Sequence, residues 1–205
     1  MRYLPFISSL AFLLACGSPY KHLQKTPGDI HCLEQFKPRF SSALYKTEVE
    51  VTGKHIGGLL LIKTLADSSI RMVFSNQLGF KFFDFGFSRD SGFQVYYIMK
   101  QMDKKAVVKT LRKDFELVLM QDIKSDKAYI LRDEQHNYYA FPQEKGINYY
   151  ITDPGCGQLL LMQRASKRKA VVEAIMKDYS HGMPDSIGIS HKNFNFTIGL
   201  KKIDK

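Results

Sequence analysis

The sequence of 205 residues has no tryptophan, three cysteines and only 7 prolines beside 14 glycines. So little proline and glycine excludes a collagen-like or low-complexity chain. No segment repeats another at a fixed period, which excludes a repeat array. Because 44% of the residues are hydrophobic and 24% are charged, the composition is that of a globular protein with a sizeable core. The length predicts one domain or a small pair.

The sequence also lacks the common signatures of catalysis and metal binding. It contains no Gly-x-Ser-x-Gly, no His-Glu-x-x-His, no His-x-His and no Cys-x-x-Cys. His181, Asp185 and His191 are the one candidate set for an enzyme site, and a loop rich in polar residues is their ordinary explanation. We therefore expect a non-enzymatic protein without a metal or cofactor.

An apolar run at the N-terminus extends from Leu4 to Ala15. A membrane-spanning helix needs about 20 apolar residues, whereas the core of a secretory signal needs about 7–15. Residues 1–15 are therefore predicted to be a signal peptide. The end of this segment, Leu13-Leu14-Ala15-Cys16, resembles the lipobox of bacterial lipoproteins, in which the cysteine receives the lipid. Cys16 is the predicted lipidation site, and an ordinary signal with an incidental cysteine is the alternative.

The export signal restricts the partners of a basic chain. The formal net charge is +10, from 30 basic and 20 acidic side chains. An exported protein does not meet nucleic acid, so anionic lipid headgroups or an acidic envelope protein are the expected partners. The alternative is a solvated basic surface that binds no partner. Gly17 and Ser18 carry no acid, which favours the periplasmic side of the outer membrane.

Two groups of residues are candidates for membrane contact. One is a basic group at a predicted hairpin, and the other is the apolar tip formed by Leu78 and Phe80; a solvated turn is the alternative for the basic group. The basic group consists of Arg164, Lys167, Arg168 and Lys169.

Two cysteines remain if Cys16 carries a lipid. Cys32 and Cys156 could form one disulfide in an oxidising compartment, or they could be two unrelated thiols.

The chain divides into a polar N-terminal part and a patterned body. Residues 16–39 are predicted to be a tether and entry segment, and residues 40–205 a single domain. Apolar residues alternate with polar ones from residue 45 onwards, and residues 53–58 form the first predicted turn. The pattern predicts strands at 45–51, 59–65, 69–75, 80–87, 93–99, 128–132, 138–141, 148–152, 158–164, 170–177, 186–190 and 194–200.

Residues 104–121 differ, because their apolar residues recur at helical spacing and predict one amphipathic helix. The short connections elsewhere indicate hairpins, since a parallel crossover needs a dozen or more residues. We therefore expect a mainly β, α+β fold: a curved antiparallel sheet wrapped around a helix. Strands that are apolar on both faces need two covers. The helix can provide one cover, and a second sheet layer or a bound apolar ligand the other.

Two stretches resemble LolA/LolB-like proteins, the lipoprotein localisation factors. One runs from Thr52-Gly53 through Leu59–Ile62 to the segment Ile70-Arg71-Met72-Val73-Phe74-Ser75-Asn76-Gln77-Leu78-Gly79. The other is Pro184 followed by Ile187-Gly188-Ile189 and the closing strand 194–200. The resemblance implies an open half-barrel with a helix against its concave face and a cavity that holds acyl chains of a lipid or lipoprotein.

The resemblance also suggests which side chains form the wall of such a cavity. The alternative is that the same residues are plain core, which would favour a protein-interaction module of the envelope with a filled interior. The candidate wall residues are Leu61, Met72, Phe74, Phe83, Phe85 and Val95, with Leu111 and Phe115 on the helix.

Overall fold

A computed structural model describes residues 18–123, 126–166 and 168–203. The predicted signal peptide, Cys16 and Lys167 lie outside these residues. The described chain forms one antiparallel sheet of 13 strands, one α-helix and a short 3-10 helix at Ile30–Phe36. The strands are β1 Gln24–Thr26, β2 Ser42–Val51, β3 Lys54–Thr64, β4 Ile70–Ser75, β5 Lys81–Ser88, β6 Gly92–Ile98, β7 Tyr129–Arg132, β8 Asn137–Pro142, β9 Ile147–Thr152, β10 Leu159–Ala165, β11 Ala170–Ser180, β12 Met183–His191 and β13 Phe196–Lys202.

The sheet is open, with β1 and β6 as its two edges. Its order is β1-β7-β8-β9-β10-β11-β12-β13-β2-β3-β4-β5-β6, so most neighbours in space are neighbours in sequence. The first and last strands of the main body, β2 and β13, pair with each other and join the two halves of the sheet. The predicted antiparallel sheet of hairpins is confirmed.

The helix α1, Lys105–Val118, crosses from one side of the sheet to the other. It must do so because β6 lies at one edge and β7 lies next to the opposite edge. Its buried face packs on the concave side of the sheet, where the ring centroid of Phe115 is 5.8 Å from that of Phe83. No helix of the described residues is both long and apolar enough to cross a bilayer.

The core lies on the concave face and follows the two-residue period of the strands. In β3, Leu60 and Ile62 are 1% exposed, whereas Leu61 between them is 37% exposed on the outer face. Successive strand side chains point to opposite faces, so each strand contributes alternate residues to the core.

Two features differ from the predicted elements. The first turn consists of Thr52 and Gly53 alone, both with positive φ (47° and 78°), and residues 55–58 belong to β3. Two such residues form a tight hairpin turn whose twist matches that of the flanking strands. In addition, β1 pairs with β7, so the sheet begins well before Phe40. β1 has three residues and is mostly exposed, so it shows no alternation that a sequence pattern could detect.

The segment after β1 is fastened to the sheet. Leu33 in the 3-10 helix is fully buried, and a disulfide joins Cys32 to Cys156 in the β9–β10 turn. This covalent link ties the entry segment to a part of the chain 124 residues away.

The turns divide between two rims, because consecutive turns of an antiparallel meander lie at opposite ends of the strands. We call one the upper rim; it carries the β2–β3, β4–β5, β8–β9, β10–β11 and β12–β13 turns and the β6–α1 connection. The lower rim carries the β3–β4, β5–β6, β7–β8, β9–β10 and β11–β12 turns.

Candidate functional site

A cavity of about 500 Å³ lies between α1 and the concave face of the sheet. This volume is within the range of about 300–1,000 Å³ that small-molecule sites occupy. The sheet side of its wall is made by Thr47, Val49, Val51, Ile56, Leu60, Phe74, Phe83, Phe194, Phe196 and Ile198.

The strand period explains this wall. Thr47, Val49 and Val51 are alternate residues of β2, so all three point to the concave face. Phe74 of β4 and Phe83 of β5 are paired across the two strands, with ring centroids 5.6 Å apart.

The helix supplies the opposite wall. Val107, Leu111 and Phe115 follow one another at four-residue intervals, which places them on one face of α1. Ala106 and Thr110 extend this face towards the start of the helix. The cavity is therefore closed on one side by α1.

The cavity opens at the upper rim. Val51 precedes the β2–β3 turn, Phe194 lies in the β12–β13 turn, and Gln101 and Met102 lie in the β6–α1 connection. Phe194 is 46% exposed, and Gln101 and Ala106 are exposed, so the mouth is in contact with solvent.

The cavity wall has no charge. Its polar side chains among the described residues are Thr47, Gln101 and Thr110, and none of the lining residues is ionisable. Transfer of a charged group into such a space would be costly, whereas transfer of an apolar chain is favourable. The site suits an apolar ligand whose polar end remains at the mouth.

A buried polar cluster lies beside the cavity. Asp114 of α1 accepts hydrogen bonds from His191 Nε2 of β12 at 2.8 Å and from Arg164 Nη2 of β10 at 2.9 Å. The His191 ring in turn packs on Phe194 and Phe196, with centroids 4.7 and 4.9 Å away. His191, which holds the helix through Asp114, is thus in direct contact with two residues of the cavity wall.

A second, half-buried carboxylate fixes the chain after the helix. Asp122 accepts hydrogen bonds from Tyr150 at 2.5 Å, Asn148 at 2.8 Å and Gln143 at 2.7 Å. Burial raises the pKa of Asp122, while the bonds from Tyr150 and Asn148 act in the opposite direction. The cluster holds the chain that follows α1 against β9 and the β8–β9 turn.

Of the eight predicted wall residues, Phe74, Phe83, Leu111 and Phe115 line the cavity. Met72 and Phe85 are fully buried in the adjacent core and do not line it.

Two of the predicted wall positions need correction. Leu61 points to the outer face, because Leu60 and Ile62 take the inward positions of β3. Val95 is 43% exposed on the edge strand β6, where it has a neighbouring strand on one side only.

The sequence-based prediction missed thirteen of the 17 residues that line the cavity. Val49 and Val51 alternate regularly in β2, and Val107 is at helical spacing with Leu111, so a signal for these residues was present. Phe194 and Phe196 also alternate, but their position at the mouth depends on the pairing of β13 with β2, which the pattern does not reveal.

The candidates for membrane contact lie at two upper-rim turns. Leu78 and Phe80 are 83% and 70% exposed at the β4–β5 turn. Arg168 and Lys169 are exposed at the β10–β11 turn. Arg164 needs correction, because its side chain is 12% exposed and paired with Asp114 rather than directed to the surface.

The other recesses are less suited to an apolar ligand. An open recess of about 820 Å³ along β1 and the β7–β8 turn has charged groups of both signs, including Lys25, Arg132, Asp133 and Glu134. No cluster of three metal-binding side chains occurs among the described residues.

The three residues considered for an enzyme are not assembled into a site. His181 is in the β11–β12 turn, His191 is at the other end of β12, and Asp185 is paired with Lys202.

Comparison with known proteins identifies the fold but no close relative. No protein-family model matches the chain, and no curated protein is significantly similar to it in sequence. Among solved structures, a LolA superfamily protein from Nitrosomonas europaea has a TM-score of 0.52 at 9% identity over 87% of this chain and 93% of that one. The fold is therefore a LolA-like open half-barrel.

Two further structures score lower. A DUF1329 family protein from Desulfovibrio piger has a TM-score of 0.46 at 8% identity, over 85% of this chain and 88% of that one. A domain described as an outer membrane lipoprotein-sorting protein, from Vibrio parahaemolyticus, has a TM-score of 0.47 at 8% identity, over 85% and 90%. These two scores are too low to support a conclusion.

Proposed function

We propose that this protein is a non-enzymatic lipoprotein of the bacterial envelope that binds the acyl chain of a lipid or acylated protein in the cavity beneath α1. The observation that carries the proposal is a cavity of about 500 Å³ with an uncharged wall and a mouth at the upper rim. Its function is burial: each Å² of apolar surface removed from water contributes about 25 cal/mol.

The helix acts as the lid of this site. One face of α1 forms the cavity wall, and the same helix is attached to β10 and β12 through Asp114. Because His191 also contacts Phe194 and Phe196, a chain that displaces these rings disturbs the attachment of the lid. Entry of a ligand and opening of the lid are thereby coupled.

The predicted N-terminal signal supports a location in the envelope. Acylation of Cys16 would tether it to a membrane, for which the periplasmic side of the outer membrane is our proposal. The disulfide between Cys32 and Cys156 supports export, because such bonds persist in oxidising compartments.

The fold adds support for a lipid or lipoprotein ligand. A LolA superfamily protein shares the half-barrel architecture, and the family resemblance implies a cavity for acyl chains. At 9% identity this argument concerns the type of ligand and leaves its identity to experiment.

The test uses the chain starting at Gly17, since every described contact lies between residues 18 and 203. Native mass spectrometry after gentle purification, followed by lipid extraction, should detect an acyl species, and the protein should bind a fluorescent fatty acid. Absence of both would contradict the proposal and leave a protein-docking module as the alternative.

A matched pair of variants locates the site. Val107 lines the cavity, whereas its neighbour Val108 does not. Val107→Trp should weaken binding of the fluorescent fatty acid about tenfold or more, because overpacking costs about 1–3 kcal/mol. Val108→Trp should bind like the wild type. Equal affinities of the two variants would show that the ligand lies elsewhere.

A further inference from the structure

The hairpin turns of the two rims, together with the β6–α1 connection, carry opposite net charge. The described upper-rim turns hold six cationic and two acidic side chains: Lys100, Lys104, Lys145, Arg168, Lys169 and Lys192 against Asp103 and Glu144. The lower-rim turns hold one cationic and five acidic side chains: Arg89 against Asp67, Asp90, Asp133, Glu134 and Asp153.

The positive rim is strengthened by the helix. Lys105 and Lys109 are exposed on the first turns of α1, which begin at the upper rim. Lys192 is paired with Glu173 at 2.6 Å, so its charge is locally compensated. The excess of cations therefore comes mainly from the β6–α1 connection and the β10–β11 turn.

The same rim carries exposed apolar side chains. Leu78 and Phe80 extend from the β4–β5 turn, and Phe194 stands at the cavity mouth, 46% exposed. Cations alone would suit an acidic protein as well as a lipid surface. Exposed Phe and Leu beside Lys and Arg are typical of segments that insert into the headgroup region of a bilayer.

We propose that the upper rim docks on an anionic phospholipid surface and so holds the mouth of the cavity against the bilayer. This surface goes beyond the binding of an acyl chain, because the rim can bind lipid whether or not the cavity is occupied. It gives an apolar ligand a path between bilayer and cavity that avoids water.

Vesicle binding tests the proposal on the chain starting at Gly17, which carries no lipid and so separates docking from anchoring. The protein should cosediment with vesicles of equal parts phosphatidylglycerol and phosphatidylcholine, but not with phosphatidylcholine alone, and added salt should weaken binding. Absence of binding to the anionic vesicles would overturn the proposal, whatever the cavity holds.

Charge reversal locates the surface. Arg168→Glu combined with Lys169→Glu should weaken binding to the anionic vesicles about tenfold or more, since each cation near the surface contributes substantially. The matched control, Arg89→Glu with Lys177→Glu, changes the net charge equally away from the upper rim and should have a smaller effect. An equal loss of vesicle affinity in both double variants would mean that net charge alone accounts for the binding, and it would overturn the proposal.

The absence of tryptophan allows a direct test of insertion. Phe80→Trp introduces a single tryptophan at the upper-rim tip, and Leu65→Trp introduces one at the lower rim, so that tryptophan emission can be excited selectively. Vesicle binding should shift the emission of the Phe80→Trp variant to the blue and leave that of the Leu65→Trp variant unchanged. If the tryptophan emission of the Phe80→Trp variant stays unchanged when the protein binds vesicles, the proposed orientation is contradicted and an acidic protein is favoured as the partner.

Discussion

Asp114 and His191 form a buried pair that joins the helix to the sheet, with 2.8 Å between the carboxylate oxygen and His191 Nε2. Both side chains are at most 2% exposed. Arg164 binds the other carboxylate oxygen, so one acidic side chain of α1 holds two strands, β10 and β12. The remaining polar nitrogens, Arg164 Nη1 and His191 Nδ1, are buried without a partner among the described residues.

Asp114→Ala should therefore destabilise the protein strongly. Removal of the carboxylate leaves the Arg164 guanidinium buried without its partner, and loss of one member of a buried pair costs about 3–5 kcal/mol. The free energy of unfolding from urea denaturation measures this loss. Glu116→Ala breaks an exposed pair with Arg112 on the same helix and should change it by about 0.5 kcal/mol. A loss at Asp114 no larger than this would mean that the cluster does not hold the lid.

Such pairs mark the limit of what the sequence could predict. The hairpins and α1 follow from local periodicity, since each strand presents its alternation within about ten residues. Arg164 was grouped with its basic neighbours, whereas its partner is 50 residues away on another element. Leu61 lies in a run that is apolar on both faces, and the period of such a run does not reveal which face is inward.

The disulfide should contribute to stability mainly by constraining the unfolded chain. Replacing both Cys32 and Cys156 with serine should lower the free energy of unfolding by about 2–5 kcal/mol, because the link closes a long loop of the unfolded chain. Denaturation with and without a reductant measures this. The double variant serves as its own control, since a reductant should destabilise only the wild type to the level of the variant. Insensitivity of the wild type to the reductant would mean that the link does not stabilise the protein.

The half-buried carboxylate of Asp122 should make stability depend on pH. Burial raises its pKa above the unfolded value of about 3.9. The folded state then holds the proton more tightly, so this contribution is fully present below pH of about 4 and is lost as the pH rises through the folded pKa.

Asp122→Asn should remove that part of the pH dependence. Melting temperatures across the acidic range should decline less steeply for this variant than for the wild type as the pH rises. Asp103→Asn, which alters an exposed carboxylate of the β6–α1 connection, should keep the wild-type slope. A parallel decline in all three proteins would assign the dependence to other groups.

Two adjacent glycines of β3 offer a matched test of the cavity wall. A Cβ at Gly58 would lie 2.3 Å from the Ser75 carbonyl oxygen and 2.8 Å from the Phe74 ring, whereas a Cβ at Gly57 would meet the flexible Glu48 carboxylate at 3.2 Å. Gly58→Ala must therefore move β4 or push Phe74 towards the cavity, and overpacking of this kind costs about 1–3 kcal/mol. Gly57→Ala should be near neutral, because a flexible, half-exposed side chain can move aside. Urea denaturation measures the cost, and binding of the fluorescent fatty acid reports the cavity. If Gly58→Ala lowers stability but leaves fatty acid binding unchanged, Phe74 does not limit the ligand and the wall formed by β2, β13 and α1 defines the site.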